Sequence, residues 1–141
     1  MAFLDWNDAL LVGDRTMDDD HRRLVILINE VADCVVGAAD AQTVCDAIGR
    51  LIDATEEHFL REEAMMRETG DPNAIVHARD HGVLITQIKI LATLIGDGTL
   101  DVSIDLLRFF RGWLVNHIRT ADRALTRHLA GVTDKGGSRA A

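Results

Sequence analysis

A histidine and a carboxylate stand four residues apart in the stretch Glu56-Glu57-His58-Phe59-Leu60-Arg61-Glu62-Glu63. On a helix, His58 and Glu62 share one face and can reach a common metal centre. The spacing returns in His77-Ala78-Arg79-Asp80-His81, while His117 and Asp122 form a looser pair and His21 stands alone near the first amphipathic run. A lone histidine on an apolar face is most often a core residue bonded to a carbonyl. A single His-x-x-x-His pair is equally weak as a signal, since surface helices carry such pairs by chance. Five histidines and two carboxylates gathered in one interior are different. Burying that many polar groups is unfavourable unless each is paired, and a metal pairs them all at once.

The elements that must position these residues are four amphipathic helices. Asp18, Asp19 and Asp20 offer an N-cap and a negative first turn for a helix from about 18 to 37, ended by Gly37. Leu24, Val25, Ile28, Val31, Ala32 and Val35 lie within about 80° of His21 on that helix. Asp40 caps a second helix of about 41–69, whose His58 face carries Val44, Ala47, Ile48, Leu51, Ala54, Glu62 and Met65, and Gly70 ends it. Asp71-Pro72 opens a third helix, with the proline at its first position. The face of His77 and His81 continues through Leu84, Ile85, Ile88, Leu91 and Ile95 to a stop at Gly96-Asp97-Gly98. The fourth helix starts near Asp101 or Ser103 and runs to about 129. Its face holds Leu106, Phe110, Trp113, Leu114, His117, Ala121 and Ala124.

The expected fold is therefore all-α, an antiparallel up-down-up-down four-helix bundle with an extended N-terminal segment. Residues 1–130 form the domain, and residues 131–141 read as a flexible tail. In such a bundle the starts of the first and third helices meet the ends of the second and fourth. All seven candidates then fall at one end, facing inward. His117 and Asp122 are five apart, which an ideal helix turns about 140° away from each other. Either Asp122 reaches around or a wide π-type turn intervenes. His128 lies about 16 Å beyond His117 by helix rise, too far for the same centre, and is assigned a structural role.

Zinc takes four ligands and would leave three of these unused. The His-Glu-x-x-His signature of zinc proteases is missing, because Ala78 stands where the glutamate belongs. Calcium and magnesium prefer oxygen. Seven nitrogen and oxygen donors suit two iron ions sharing two carboxylates. Three histidines and three bridges saturate one iron, and two histidines with the same bridges leave the other one position short.

The order His21, His58-x-x-x-Glu62, His77-x-x-x-His81, His117-x-x-x-x-Asp122 resembles the hemerythrins, and more narrowly the single-domain bacteriohemerythrins. The resemblance covers residues from about 3 to 130 and includes Trp6, the His58-Phe59 pair followed by Glu62-Glu63, and the Trp113-to-His117 spacing. It implies a non-haem di-iron centre with an oxo or hydroxo bridge that binds O2 reversibly and also admits small anions. By the same resemblance His77, His81 and His117 hold the saturated iron, His21 and His58 the open one, and Glu62 and Asp122 bridge. Leu24, Leu114 and Ile118, within one turn of these residues, are the expected walls of the ligand pocket. The chain lacks tyrosine, which such proteins often carry near the metal.

Bulk composition excludes other classes. With 15 Lys and Arg against 23 Asp and Glu, a net charge of −8, the chain has no basic face for nucleic acid. No apolar run is long enough to cross a bilayer, and the first residues lack a signal-peptide pattern. A cytoplasmic protein is expected, with Cys34 and Cys45 as ordinary thiols. The expected role is O2 transport, storage or delivery, for example to an O2-consuming partner enzyme. The alternatives are a sensor of O2, redox state or nitric oxide, and a di-iron enzyme consuming peroxide or nitric oxide. An enzyme is disfavoured by the donor set. Ferritin-like di-iron enzymes use mostly carboxylates with paired Glu-x-x-His motifs, which this chain lacks.

Overall fold

A computed structural model describes residues 2–140, with side chains described through Val132. Four long helical rods account for it: α1 (Arg15–Val36), α2 (Ala41–Thr69), α3 (Ala74–Gly96), and a fourth made of α4 (Ile104–His117), a π-helical turn (Ile118–Asp122) and α5 (Arg123–Ala140). No strand occurs among the described residues. The tail expected over 131–141 lies, past Val132, outside the residues whose side chains are described.

Cross-helix pairs fix the direction of each rod. Asp20 on α1 bonds His58 and Arg61 on α2, and Glu30, further along α1, lies 3.8 Å from Arg50, earlier in α2, so the two run antiparallel. Moving toward the start of α2, from Glu63 to Glu56, takes the partner on α3 forward from His81 to Lys89. His77 meets Asp122 and His81 meets His117, so α3 and the fourth rod are also antiparallel. The topology is thus the up-down-up-down bundle expected from four amphipathic runs with short loops.

Two helix starts differ from expectation. The N-cap of α1 is Asp14, whose carboxylate accepts from Met17 N, so the helix begins ahead of the three aspartates. Asp18 is then free to fold back, accepting from the backbone of Val12 at 2.9 Å and Gly13 at 3.3 Å. Pro72 does not open α3 either. Asp71 instead accepts from Asn73 N in a local turn, and the helix starts at Ala74. Ser103 caps α4 through Leu106 N, and Gly70 ends α2 in the left-handed conformation, φ 64°. At the end of α1 the left-handed position falls on Ala38, φ 51°, one residue past Gly37.

The segment before α1 lies across the bundle. Leu4 and the Asn29 side chain exchange two hydrogen bonds, and Arg111 and Arg123 donate to the carbonyls of Phe3 and Ala9. The main apolar core fills the bundle from Leu24, Phe59, Leu84 and Ile118 toward the far end. A smaller cluster of Met17, Met66 and Leu125 closes the near end. The polar layer lies between them, shut off from water above and below.

Candidate metal centre

The layer gathers all seven residues singled out by spacing. His21, His58, Glu62, His77, His81, His117 and Asp122 are each at most 6% exposed. Their donor atoms form two overlapping groups. One holds Glu62, His77, His81, His117 and Asp122, the other His21, His58, Glu62 and Asp122, with the atoms of each group within 4.8 Å of one another. Glu62 and Asp122 belong to both.

The π-helical turn explains Asp122. Bonding at i→i+5 over Ile118–Asp122 absorbs one residue, so the side chain five positions after His117 returns to its face. Asp122 Oδ1 lies 3.1 Å from the Nε2 atoms of both His77 and His117, and Oδ2 lies 3.0 Å from His21 Nε2. The turn also re-phases the start of α5. Leu125 faces inward at 1% exposure, and the expected Ala124 is on the surface.

Aromatic contacts and carboxylates orient the rings from behind. Phe59 stacks on His81 with centroids 3.7 Å apart, and Trp113 stacks on His117 at 4.5 Å. His58 Nδ1 donates to Asp20 Oδ2 at 2.8 Å, and Arg61 grips both Asp20 oxygens at 2.9 Å. His81 Nδ1 faces Glu63 Oε2 at 3.3 Å. Burial alone would raise the Asp20 pKa, but the bonds from His58 and Arg61 outweigh it and hold the carboxyl at about 2. An ionised carboxylate only accepts. It therefore fixes the proton of His58 on Nδ1 and leaves Nε2 as a bare lone pair aimed into the layer.

Spacing along single helices did not reveal Asp20 or Arg61. Asp20 pairs with a histidine 38 positions away, and its signal was hidden by an N-cap role that Asp14 fills instead. His128 bonds the carbonyl and hydroxyl of Thr69 at 3.1 and 3.0 Å, tying α5 to the end of α2 as a structural histidine. Cys34 and Cys45 are free and partly buried.

The residues fit a metal better than they fit one another. His21 Nδ1, both oxygens of Glu62 and Asp122 Oδ2 are buried with no hydrogen-bond partner among the described residues. Interiors seldom leave such groups unpaired. Ring nitrogens face ring nitrogens, at 3.1 Å for His21 and His58, 3.0 Å for His77 and His117, and 3.1 Å for His81 and His117. With metal–nitrogen bonds of about 2.1 Å, neighbouring ligands of an octahedron sit about 3.0 Å apart and those of a tetrahedron about 3.4 Å. The observed spacings match the octahedral value.

Protonation agrees with that fit. Burial, reinforced by the charges of His77 and His117, pushes His81 down to about 2, and burial lowers His58 as well. Both rings stay neutral and able to ligate. Burial raises Glu62, and the negative charge of Asp122 raises it further. Burial works against ionisation of Asp122 too, yet the imidazoles of His117, His21 and His77 close around it hold it well below its ordinary value. The two carboxyls are thus pushed apart, Glu62 toward its protonated form and Asp122 toward its ionised one.

A family model described as the hemerythrin HHE cation binding domain matches residues 12–129. A bacteriohemerythrin of Stenotrophomonas maltophilia is 34% identical over 124 residues, covering 88% of this chain and 80% of that protein. A myohemerythrin of Riftia pachyptila is 32% identical over 117 residues, covering 83% and 86%. The crystal structure of a wild-type hemerythrin superposes with a TM-score of 0.86 at 27% identity, covering 91% of this chain and 98% of that one.

Proposed function

Because this chain belongs to the hemerythrin family, we propose that it is an O2-binding protein with a non-haem di-iron centre, serving oxygen transport, storage or delivery. The observation that carries the reading is the pair of overlapping donor groups sharing Glu62 and Asp122. His77, His81 and His117 would hold one iron and His21 and His58 the other, with Glu62 and Asp122 available to both. When bound, the iron pair would supply the electrons that make O2 binding possible and reversible.

The chain's own residues do the rest. Three imidazoles against two leave the His21/His58 half one donor short, and that half would take O2. His58 and His81, held neutral by burial, would meet the metals without first losing protons. Leu24, Leu114 and Ile118, none more than 2% exposed, wall the site and keep out water and anions that would compete with O2. A donor set rich in imidazole and poor in carboxylate favours the ferrous state, which suits a carrier and not an enzyme. Among the described residues no helix is long and apolar enough to cross a membrane. The proposed setting is the cytoplasm, where two free thiols are ordinary and an O2-consuming enzyme could draw on the bound gas.

Metal analysis combined with optical spectra tests the reading. Two irons per chain are expected, and few or none in His58→Ala. The reduced protein should gain oxo-bridge charge-transfer bands under O2 and lose them on argon purging. Bands that never revert, or sustained turnover of an organic substrate with O2, would overturn the carrier role.

A further inference from the structure

The five inward rings are not held alike. His58 has the shortest carboxylate contact behind it, 2.8 Å from Nδ1 to Asp20 Oδ2. The corresponding His81–Glu63 contact is 3.3 Å, and His21 Nδ1 has no partner among the described residues. Asp20 itself is gripped from outside. Arg61 Nε donates to Oδ2, the oxygen that His58 also uses, and Nη2 donates to Oδ1, both at 2.9 Å. The carboxylate is mostly covered, at 17% side-chain exposure, whereas Arg61 is 47% exposed.

A carboxylate behind a ligating imidazole raises the basicity of the far nitrogen. A guanidinium on the same oxygen draws that electron density back. We propose that Asp20 and Arg61 are an opposed pair of positioning residues that set how strongly His58 donates to the metal it faces, Asp20 increasing the donation and Arg61 restraining it. The inference rests on the di-iron reading, because a donor strength has meaning only toward a metal. It singles out the His21/His58 half, which has two imidazoles where the other half has three. One strengthened ring there offsets part of the missing donor. Neither Asp20 nor Arg61 is one of the clustered donors. Both act through the orientation, tautomer and charge of His58.

The pair makes a prediction of opposite sign, which a scaffold role would not. Asp20→Asn removes the negative acceptor, and Arg61→Gln leaves the acceptor and removes the restraint. In metal-free protein, the His58 Nδ1–H proton should give a downfield resonance in the wild type and in Arg61→Gln, lost in Asp20→Asn. Metal affinity should fall about 10- to 100-fold in Asp20→Asn, the usual effect of losing such a partner. With iron loaded, the reduction potential should rise in Asp20→Asn and fall in Arg61→Gln. A tenfold change in the reduction equilibrium corresponds to about 59 mV for one electron. Asp20→Glu, which keeps the charge, should return the potential toward wild type. Potentials that move the same way in Asp20→Asn and Arg61→Gln, or that stay put with two irons bound, would overturn the proposal and leave the di-iron reading standing. Failure of the wild type to bind two irons would remove both.

Discussion

Acid should destabilise the metal-free protein through His81. Its ring is driven to about 2 by burial and by the charges of His77 and His117, so the native state keeps it neutral at every mild pH. In the unfolded chain it takes up a proton near its ordinary value of about 6.5. Between those two values the unfolded state binds one proton more than the native state. Stability therefore rises with pH across this window and is lost as pH falls below about 6.5. The limiting slope is about 1.4 kcal/mol per pH unit, so going from pH 7 to pH 5 costs about 2 kcal/mol through this one ring. That is a large part of the roughly 5–15 kcal/mol that holds a domain together.

Glu62 works in the opposite sense. Its raised pKa lets the native state keep a proton that the unfolded chain releases above about 4.5, so its effect on stability worsens as pH rises. A comparison with His81→Leu isolates the histidine. Urea unfolding of both metal-free proteins at pH 5, 6 and 7 should show the wild type losing about 2 kcal/mol more than the variant between the extremes. Parallel stability curves would refute the claim that a neutral, buried His81 is held at the cost of acid stability.

Deleting Thr120, which is exposed within the π-turn, shortens the His117–Asp122 spacing to four, and an ordinary α-turn then brings the two within about 40°. The deletion variant should keep two irons per chain by metal analysis, and an alanine inserted after Thr120 should not. Leu24→Ala, at a position 1% exposed, should lower stability by about 2–5 kcal/mol in denaturant titration. If Leu24 also walls the ligand pocket, the oxygenated spectrum of that variant should decay faster. Ala38 is exposed and held at φ 51°, so Ala38→Gly should raise the urea midpoint by an amount equivalent to about 1 kcal/mol.

Periodicity made the residues of the buried polar cluster legible, because a 3.6-residue repeat that places Leu24, Ile28 and Val31 in the core also places His21 there. The same arithmetic failed wherever the backbone departed from it. An extended α-helical phase put Ala121 and Ala124 inward, but the π-turn turns Asp122 and Leu125 in instead. The five-residue interval did signal that something irregular had to happen there. Asp18, Asp19 and Asp20 look interchangeable in composition, yet Asp18 closes a backbone loop and Asp20 clamps His58. No local pattern separates these roles, since each depends on which element lies opposite. Pro72 fits a helix start equally well on paper. The turn built by the Asp71 carboxylate on Asn73 N moved the start to Ala74.

Four buried polar atoms without partners, and ring nitrogens facing each other at about 3 Å, are unfavourable in a metal-free chain. The apolar clusters on both sides leave the layer no way to relax by admitting water freely. Metal binding would remove these penalties together, by giving each lone pair a partner. Only the folded chain brings the seven donors together, so the binding energy adds to folding stability by mass action. Loading the site and folding would therefore be linked equilibria, and metal release should track bundle opening more closely than the exposure of any single histidine.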